Sequence, residues 1–268
     1  MENDNIRLKI MERREIMKEY DESDEEIISD QMAGKTQPPL EKASMGTKFI
    51  KLTKDFDHVI RNNNFVELLN NRVSRRRYNE EKLSLEELSF LMWSTQGVKA
   101  VIGNDRKATM RTVPSAGARH PFETYLFINR VVGLDVGIYH YLASEHKLEF
   151  VKALEQQADR VSEAYCGQTF FGNAAVSFVW TVIPYRSEWR YTVDAQKYAL
   201  IDVGHVCQNL YLACEAIGCG TCAIGAYDQK LADSLLELGS EPSIENDNEF
   251  VVYAAGVGKI DSKSNSII

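Results

Sequence analysis

Residues 194–228 read DAQKYALIDVGHVCQNLYLACEAIGCGTCAIGAYD. Leu200, Val203, Cys207, Leu210, Cys214 and Ile217 recur in steps of three and four, the spacing of one helix face. The pattern predicts a long helix from about Asp194 to Ile217, apolar enough to lie centrally, with Gly218 as its stop. Upstream, Ser84-Leu85-Glu86-Glu87 is a capping box, Leu85, Leu88, Leu91 and Met92 keep helical spacing, and Gly97 supplies a stop. Runs rich in β-branched and aromatic residues at 123–129, 138–142, 175–183 and 250–257 predict strands. Strands interleaved with helices, without an internal repeat, predict an α+β or α/β domain whose sheet topology the pattern leaves open.

Working outward, residues 1 to about 35 read as a charged, partly amphipathic helix followed by an acidic run, Asp21, Glu22, Asp24, Glu25 and Glu26. Gly34 and the Pro38-Pro39 pair break it. We therefore expect an extension over residues 1–55, either a mobile arm or a strap across a partner subunit, and a compact domain over 56–268. An acidic loop around 245–249 leads into the last strand.

The 268 residues suit one large domain or two small ones, and 44% hydrophobic with 26% charged residues is ordinary for a globular protein. No stretch approaches the roughly 20 apolar residues that cross a bilayer, so no membrane partner is expected. The charged N-terminus does not read as a secretory signal, which makes the cytoplasm the expected compartment. Acidic residues outnumber basic ones 39 to 31, for a net charge of −8, the wrong sign for gripping phosphate backbones; no nucleic acid partner is expected. The five cysteines, Cys166, Cys207, Cys214, Cys219 and Cys222, are odd in number and read as reduced thiols. Cys219 and Cys222 have CxxC spacing, but the histidines (His58, His120, His140, His146, His205) add no matching pair, so no metal is expected.

Three segments carry candidate chemistry. In Arg72-Val73-Ser74-Arg75-Arg76-Arg77-Tyr78, guanidinium groups and a hydroxyl suit a phosphate, and a solvated basic loop is the plain alternative. Residues 111–121, RTVPSAGARHP, form a rigid small-residue loop that brings backbone close to something flat, or simply a tight turn before a strand. Its His120 is a candidate general acid or a hydrogen-bonded structural histidine. Residues 218–228, GCGTCAIGAYD, offer backbone N–H groups to a ligand, or mark a helix stop leading into a short strand. They follow a helix rather than a strand, so they are not a dinucleotide fingerprint.

In their order these segments resemble the nitroreductase superfamily, most closely its SagB-type (thiazole/oxazole dehydrogenase-like) branch. The likeness rests on the arginine-serine-arginine segment, residues 84–88, Gln96-Gly97, Pro114-Ser115-Ala116-Gly117, residues 202–210 (DVGHVCQNL) and residues 218–228, and it spans about residues 70–259. It implies a three-layer fold with a mostly antiparallel central sheet, FMN as cofactor, NAD(P)H as electron donor, and a homodimer with flavins between subunits. By this resemblance Arg72, Val73, Ser74 and Arg76 hold the phosphate and ribityl end. Pro114, Ser115, Ala116 and Ala118 of the other subunit line the ring, and Ala223, Ile224, Gly225 and Ala226 lie along the isoalloxazine with a backbone N–H near N5. Lys259 is a further phosphate candidate.

The implied chemistry fits the residues, because flavin carries the electron chemistry and no catalytic side chain is compulsory. Some azoline-forming members use a Lys-Tyr pair after a tryptophan. The counterpart here is Trp189-Arg190-Tyr191, and arginine stays protonated, which leaves Tyr191 as the candidate proton carrier. The expected function is hydride transfer from NAD(P)H through flavin N5 to a small conjugated acceptor such as a nitroaromatic or quinone. Alternatives are a SagB-like dehydrogenase of a peptide or biosynthetic intermediate, with oxygen reoxidising the flavin, and a non-catalytic flavin-binding or assembly module.

Overall fold

The computed structural model describes residues 2–15, 27–44, 46–239 and 248–261. In chain order the elements are α1 (Glu2–Glu15), β1 (Phe49–Lys51), α2 (Phe65–Asn71), α3 (Leu85–Gln96), β2 (Val98–Ile102), β3 (Ala108–Arg111), β4 (Phe122–Ile128), β5 (Gly137–Leu142) and β6 (Lys147–Lys152). There follow α4 (Gln157–Ala164), α5 (Thr169–Gly172), β7 (Val176–Val182), α6 (Tyr185–Tyr191), α7 (Ala195–Ile217), β8 (Cys219–Ile224), α8 (Gln229–Leu235) and β9 (Phe250–Lys259). Seven strands form one sheet in the order β1-β6-β5-β4-β7-β9-β8, with every pairing antiparallel. Strands β2 and β3 make a separate hairpin.

Both faces of this sheet are covered, and the period-two alternation of strand side chains shows how. Leu126, Ile128, Phe178 and Trp180 pack with Leu88 and Met92 of α3 and Val203 and Leu210 of α7. Their neighbours Tyr125, Phe127 and Val179 point the other way, into a second core with Val161 of α4, Phe171 of α5 and Leu235 of α8. Every residue of β4 and β7 is accordingly buried. The result is the expected α+β, three-layer architecture with a central antiparallel sheet.

The strongest local signals are realised as written. Ser84 Oγ accepts the Glu87 N–H at 3.1 Å while the Glu87 carboxylate accepts the Ser84 N–H at 2.9 Å, closing the box at the start of α3. Helix α7 runs to Ile217 and stops where Gly218 takes the left-handed conformation at φ 71°. Residues 219–224 are a strand rather than a ligand-facing loop: each pairs with β9 at the sheet edge, and all but the half-buried Ala223 are buried. In that strand Cys219 and Cys222, three residues apart, face opposite sides; all five cysteines are free thiols.

From residue 27 onward the N-terminal segment is docked rather than detached. The Gln31 N–H donates to Trp189 O at 2.8 Å, the Trp189 indole donates to Lys35 O at 3.1 Å, and Lys42 Nζ reaches Glu249 at 2.5 Å. Residues 49–51 are already the edge strand beside β6. Residues 27–55 are thus built onto their own domain, and a boundary after residue 55 runs behind a strand of the sheet. The acidic residues 21–26 lie outside the described residues, as does most of the loop at 245–249. Among the described residues no helix is long and apolar enough to cross a membrane, and no group of three or more His, Cys, Asp or Glu is placed to hold a metal ion.

Candidate functional site

Two residues one turn apart on α7 organise the arginine segment. Tyr211 and Glu215 share a helix face, and the segment that follows α2 runs across them. Arg75 is buried and ion-paired with Glu215, and its backbone N–H donates to Thr221 O at 2.9 Å, along the outer edge of β8. Ser74 Oγ lies 2.9 Å from the Tyr211 hydroxyl, which also accepts the Ala223 N–H at 2.9 Å. The Arg72 guanidinium rests 5.3 Å from the Tyr211 ring centre and that of Arg76 5.8 Å from the Phe170 ring. Val73 is half-buried between them. The first and third candidate segments therefore meet, through the Arg75–Thr221 backbone hydrogen bond and through the Tyr211 hydroxyl.

Charge distribution separates the arginines by role. Arg75 is committed to Glu215, whereas among the described residues neither Arg72 nor Arg76 has a carboxylate partner. Beneath them Cys222 is pushed up by burial, with Arg76, Ser74 and Tyr211 pulling the other way, so the thiol stays protonated at neutral pH. At the far end of β8, Ile224 is buried in the sheet core, while Gly225 and Ala226 are exposed backbone. A Cβ added at Gly225 would meet only a Tyr253 ring carbon at 4.0 Å, so that backbone faces open space. This edge of β8 is bordered by two cations without a carboxylate partner among the described residues, Arg72 and Arg76, and ends in exposed main chain. It suits a flat molecule carrying a phosphate tail, and the residues fit FMN on that ground.

The Pro114 loop is organised by a residue the sequence reading did not single out as a ligand contact. Asp202 of α7 accepts the Ser115 hydroxyl at 2.6 Å and the Ala116 N–H at 3.0 Å. Burial raises the Asp202 carboxyl, and these hydrogen bonds hold it partly back. Within the loop Gly117, Ala118 and His120 all take positive φ, at 54°, 51° and 45°. For alanine and histidine that conformation is strained and persists only because Asp202 and the packing impose it. Pro114 stands exposed, and Ser115, Ala116 and Ala118 are half-buried.

The remaining candidates fall in distinct places. His120 is buried, and burial together with Arg111 and Arg119 pushes its pKa down to about 3. A ring held neutral at physiological pH fits the hydrogen-bonded structural alternative better than a general acid. Lys259 is also buried and is ion-paired with Glu87 of α3, so its charge serves that pair. Tyr191 leans over the loop: a Cβ on Gly117 would lie 2.6 Å from the Tyr191 hydroxyl.

Helix α7 separates these two half-sites. Asp202 and Tyr211 are nine residues apart, which is about 13 Å along the axis and about half a revolution around it. The loop at 115–118 and the edge of β8 thus lie on opposite sides of one helix. Tyr211, Asp202 and Phe170 are the residues the sequence reading missed as contacts. Tyr211 had a signal, since it falls in i, i+4 step with Cys207 and Glu215. Phe170 had none, because α5 is only four residues long.

A mixed sheet-and-helix fold with a basic cradle on an edge strand defines the scaffold on which these candidate residues meet. Comparison with known proteins gives the scaffold its family. The profile of the nitroreductase family matches residues 69–259, and the chain belongs to this family of oxidoreductases. A Methanocaldococcus jannaschii protein that carries a nitroreductase name is 32% identical over 171 residues, covering 63% of this chain and 82% of its own length. The trifolitoxin-processing protein TfxB of Rhizobium leguminosarum bv. trifolii is 30% identical over 154 residues, covering 53% of this chain; the match spans only 39% of TfxB. This second likeness agrees with the SagB-type motifs. Among solved structures, a nitroreductase-named protein of Ralstonia eutropha superposes with a TM-score of 0.62 at 20% identity, covering 85% of this chain and 97% of that one. The NADPH:FMN oxidoreductase of Vibrio harveyi gives 0.52 at 14% identity, covering 77% and 73%. At these identities the two structures bear on the fold alone.

Proposed function

We propose that this chain is an FMN-dependent oxidoreductase that works as a homodimer, takes reducing equivalents from NAD(P)H and delivers them to a small conjugated acceptor such as a nitroaromatic or quinone. The observation that carries the reading is the pair of unpaired guanidinium groups, Arg72 and Arg76, beside Ser74 at the edge of β8. A dianionic phosphate asks for about two positive charges if it is to leave water, and these residues supply them. FMN, when bound, supplies the hydride and electron chemistry. Arg72, Arg76 and Ser74 hold the phosphate end, and the exposed backbone at Gly225 and Ala226 lies along the ring system. Lys259, tied to Glu87, is left out of this reading.

The dimer is supported by the geometry of α7. One chain presents the 115–118 loop and the β8 edge on opposite sides of that helix, so a second copy is what brings a loop to a cradle. The surface beside them is apolar enough for it: Phe65 and Val66 of α2 are 62% and 63% exposed, and Leu200 and Ile201 of α7 are 58% and 50% exposed.

A second reading is dehydrogenation of a peptide or biosynthetic intermediate, with oxygen as the final electron acceptor. It is favoured by the likeness to TfxB. The test of both begins with colour. Purified protein should carry a releasable yellow chromophore identified as FMN and should bleach anaerobically with NADPH or NADH. Protein that binds FMN but never bleaches with either donor would move the reading to the second alternative. Protein that binds no flavin would end both.

A further inference from the structure

Four arginines gather where the Pro114 loop meets α6: Arg111, Arg119, Arg186 and Arg190. Glu123 pairs with Arg186 at 2.6 Å, and it is the carboxylate in direct ion contact with this group among the described residues. Arg111 is spent on Gln96 at 2.9 Å and on Thr109 at 3.2 Å. Arg119 Nε donates to Arg186 O at 2.8 Å, its guanidinium lies 5.0 Å from the Trp189 ring centre, and its Nη2 is buried without a hydrogen-bond partner. Arg186 Nη1 is left in the same condition. Arg190 is exposed, stacks 5.3 Å from the Tyr191 ring centre, and has no ion pair among the described residues.

Burial lowers the Arg111 pKa, and Glu123 and Glu41 oppose it. With Arg186 paired to Glu123, Arg119 and Arg190 are the two left without a carboxylate partner among the described residues. Uncompensated charge of that kind is a site for an anion. Arg190 is the member a solute can reach. Its Nη1 would stand 3.0 Å from a Cβ on Gly117, so it lies directly over the left-handed turn of the loop. Burial lowers the Arg119 pKa, and Arg190 and Arg186 lower it further, which is the mutual repulsion that a bound anion would relieve. This cluster is distinct from the phosphate cradle, which lies on the opposite side of α7.

We propose that Arg190, with Arg119 behind it, forms a carboxylate-binding subsite that selects an anionic acceptor. The proposal rests on the oxidoreductase reading and gives that reading a substrate class. Arginine cannot take a proton at this position, but its planar fork can pair with both oxygens of a carboxylate. Tyr191 beside it offers an aromatic wall for the rest of the molecule.

The test compares 4-nitrobenzoate with 4-nitrobenzyl alcohol as acceptors, alongside calorimetric titration of the isolated protein with benzoate. The wild-type chain should favour the carboxylate by about tenfold or more in kcat/KM. Arg190→Gln should bring that ratio near one and abolish benzoate binding, Arg190→Glu should invert the ratio, and Arg190→Lys should keep part of it. An unchanged ratio in Arg190→Gln, or a wild-type chain that neither prefers nitrobenzoate nor binds benzoate, overturns the subsite. A shift of flavin midpoint potential in Arg190→Gln with the ratio intact overturns it too, and assigns the charge to the cofactor instead. Flavin content is measured first: a flavin-free protein fails the parent reading, and the benzoate titration then decides the subsite alone.

Discussion

The Tyr211 hydroxyl stands 2.9 Å from the Ser74 hydroxyl and, from its other side, accepts the Ala223 N–H at 2.9 Å. One phenol thus joins the arginine segment to the edge strand, and it does so from the central helix. Tyr211→Phe keeps the ring under Arg72 and removes only this junction. The half-buried Ala223 N–H is then left without its acceptor, at a cost of about 1–2 kcal/mol. The expected outcome is a folded protein with a melting temperature a few degrees lower and FMN affinity reduced about tenfold, read by thermal unfolding and flavin titration.

Asp202 plays the corresponding part for the second half-site. Asp202→Ala orphans the Ala116 N–H and frees the strained turn at Gly117–Ala118, whereas Asp202→Asn retains an acceptor oxygen. The alanine variant should lose about 2 kcal/mol and the asparagine variant clearly less. Because the loop is expected to serve the partner's cofactor, flavin content should fall in the same order. Paired measurements of unfolding and bound flavin check this.

The long helix, its glycine stop, the capping box and the four principal strands were legible because each is written in local chemistry: spacing, a cap, β-branched runs. The hairpin of β2 and β3 was not, since Lys99, Ala100 and their exposed neighbours make no alternating pattern to read. Nor was the docking of residues 27–55. It depends on Lys42 finding Glu249 and the Glu123 carboxylate more than 80 residues away, and no window of sequence contains both ends of such a contact. In the site, composition pointed to the arginines but not to which were free. That distinction depends on Glu215 claiming Arg75, and on Glu87 claiming Lys259.

The N-terminal residues should therefore divide in truncation. Residues 6–14 of α1 are exposed, and deletion of residues 1–14 should leave the melting temperature essentially unchanged. Deletion of residues 1–45 strips Lys42 from two buried carboxylates and Asp30 from Tyr185. That longer deletion should cost about 2 kcal/mol or more and lower the melting temperature accordingly. Equal stability of the two truncations would contradict the docking of this segment.

Stability should fall on mild acidification. His120 has a folded pKa of about 3 against an ordinary 6.5, so the unfolded chain binds its proton first. The stabilisation is complete above about pH 6.5 and is lost as pH drops toward 3, by about 1.4 kcal/mol per pH unit for one proton. His146, also lowered by burial, adds in the same direction. Burial works against ionisation of Glu123, but His140 and Arg186 prevail and bring its pKa to about 2, so its contribution is lost between about pH 4.5 and 2. Melting temperatures from pH 7.5 to 5 should decline, and His120→Asn, which tolerates the left-handed backbone, should flatten the slope.

The cradle itself is tested most directly by two ligands that differ only in a phosphate. Titrated against FMN and riboflavin, the wild-type chain should bind FMN at least about a hundredfold more tightly. A folded Arg72→Ala/Arg76→Ala double variant should bind the two with nearly equal, weak affinity. A double variant that keeps the full preference for FMN would contradict the assignment of these two arginines to the phosphate.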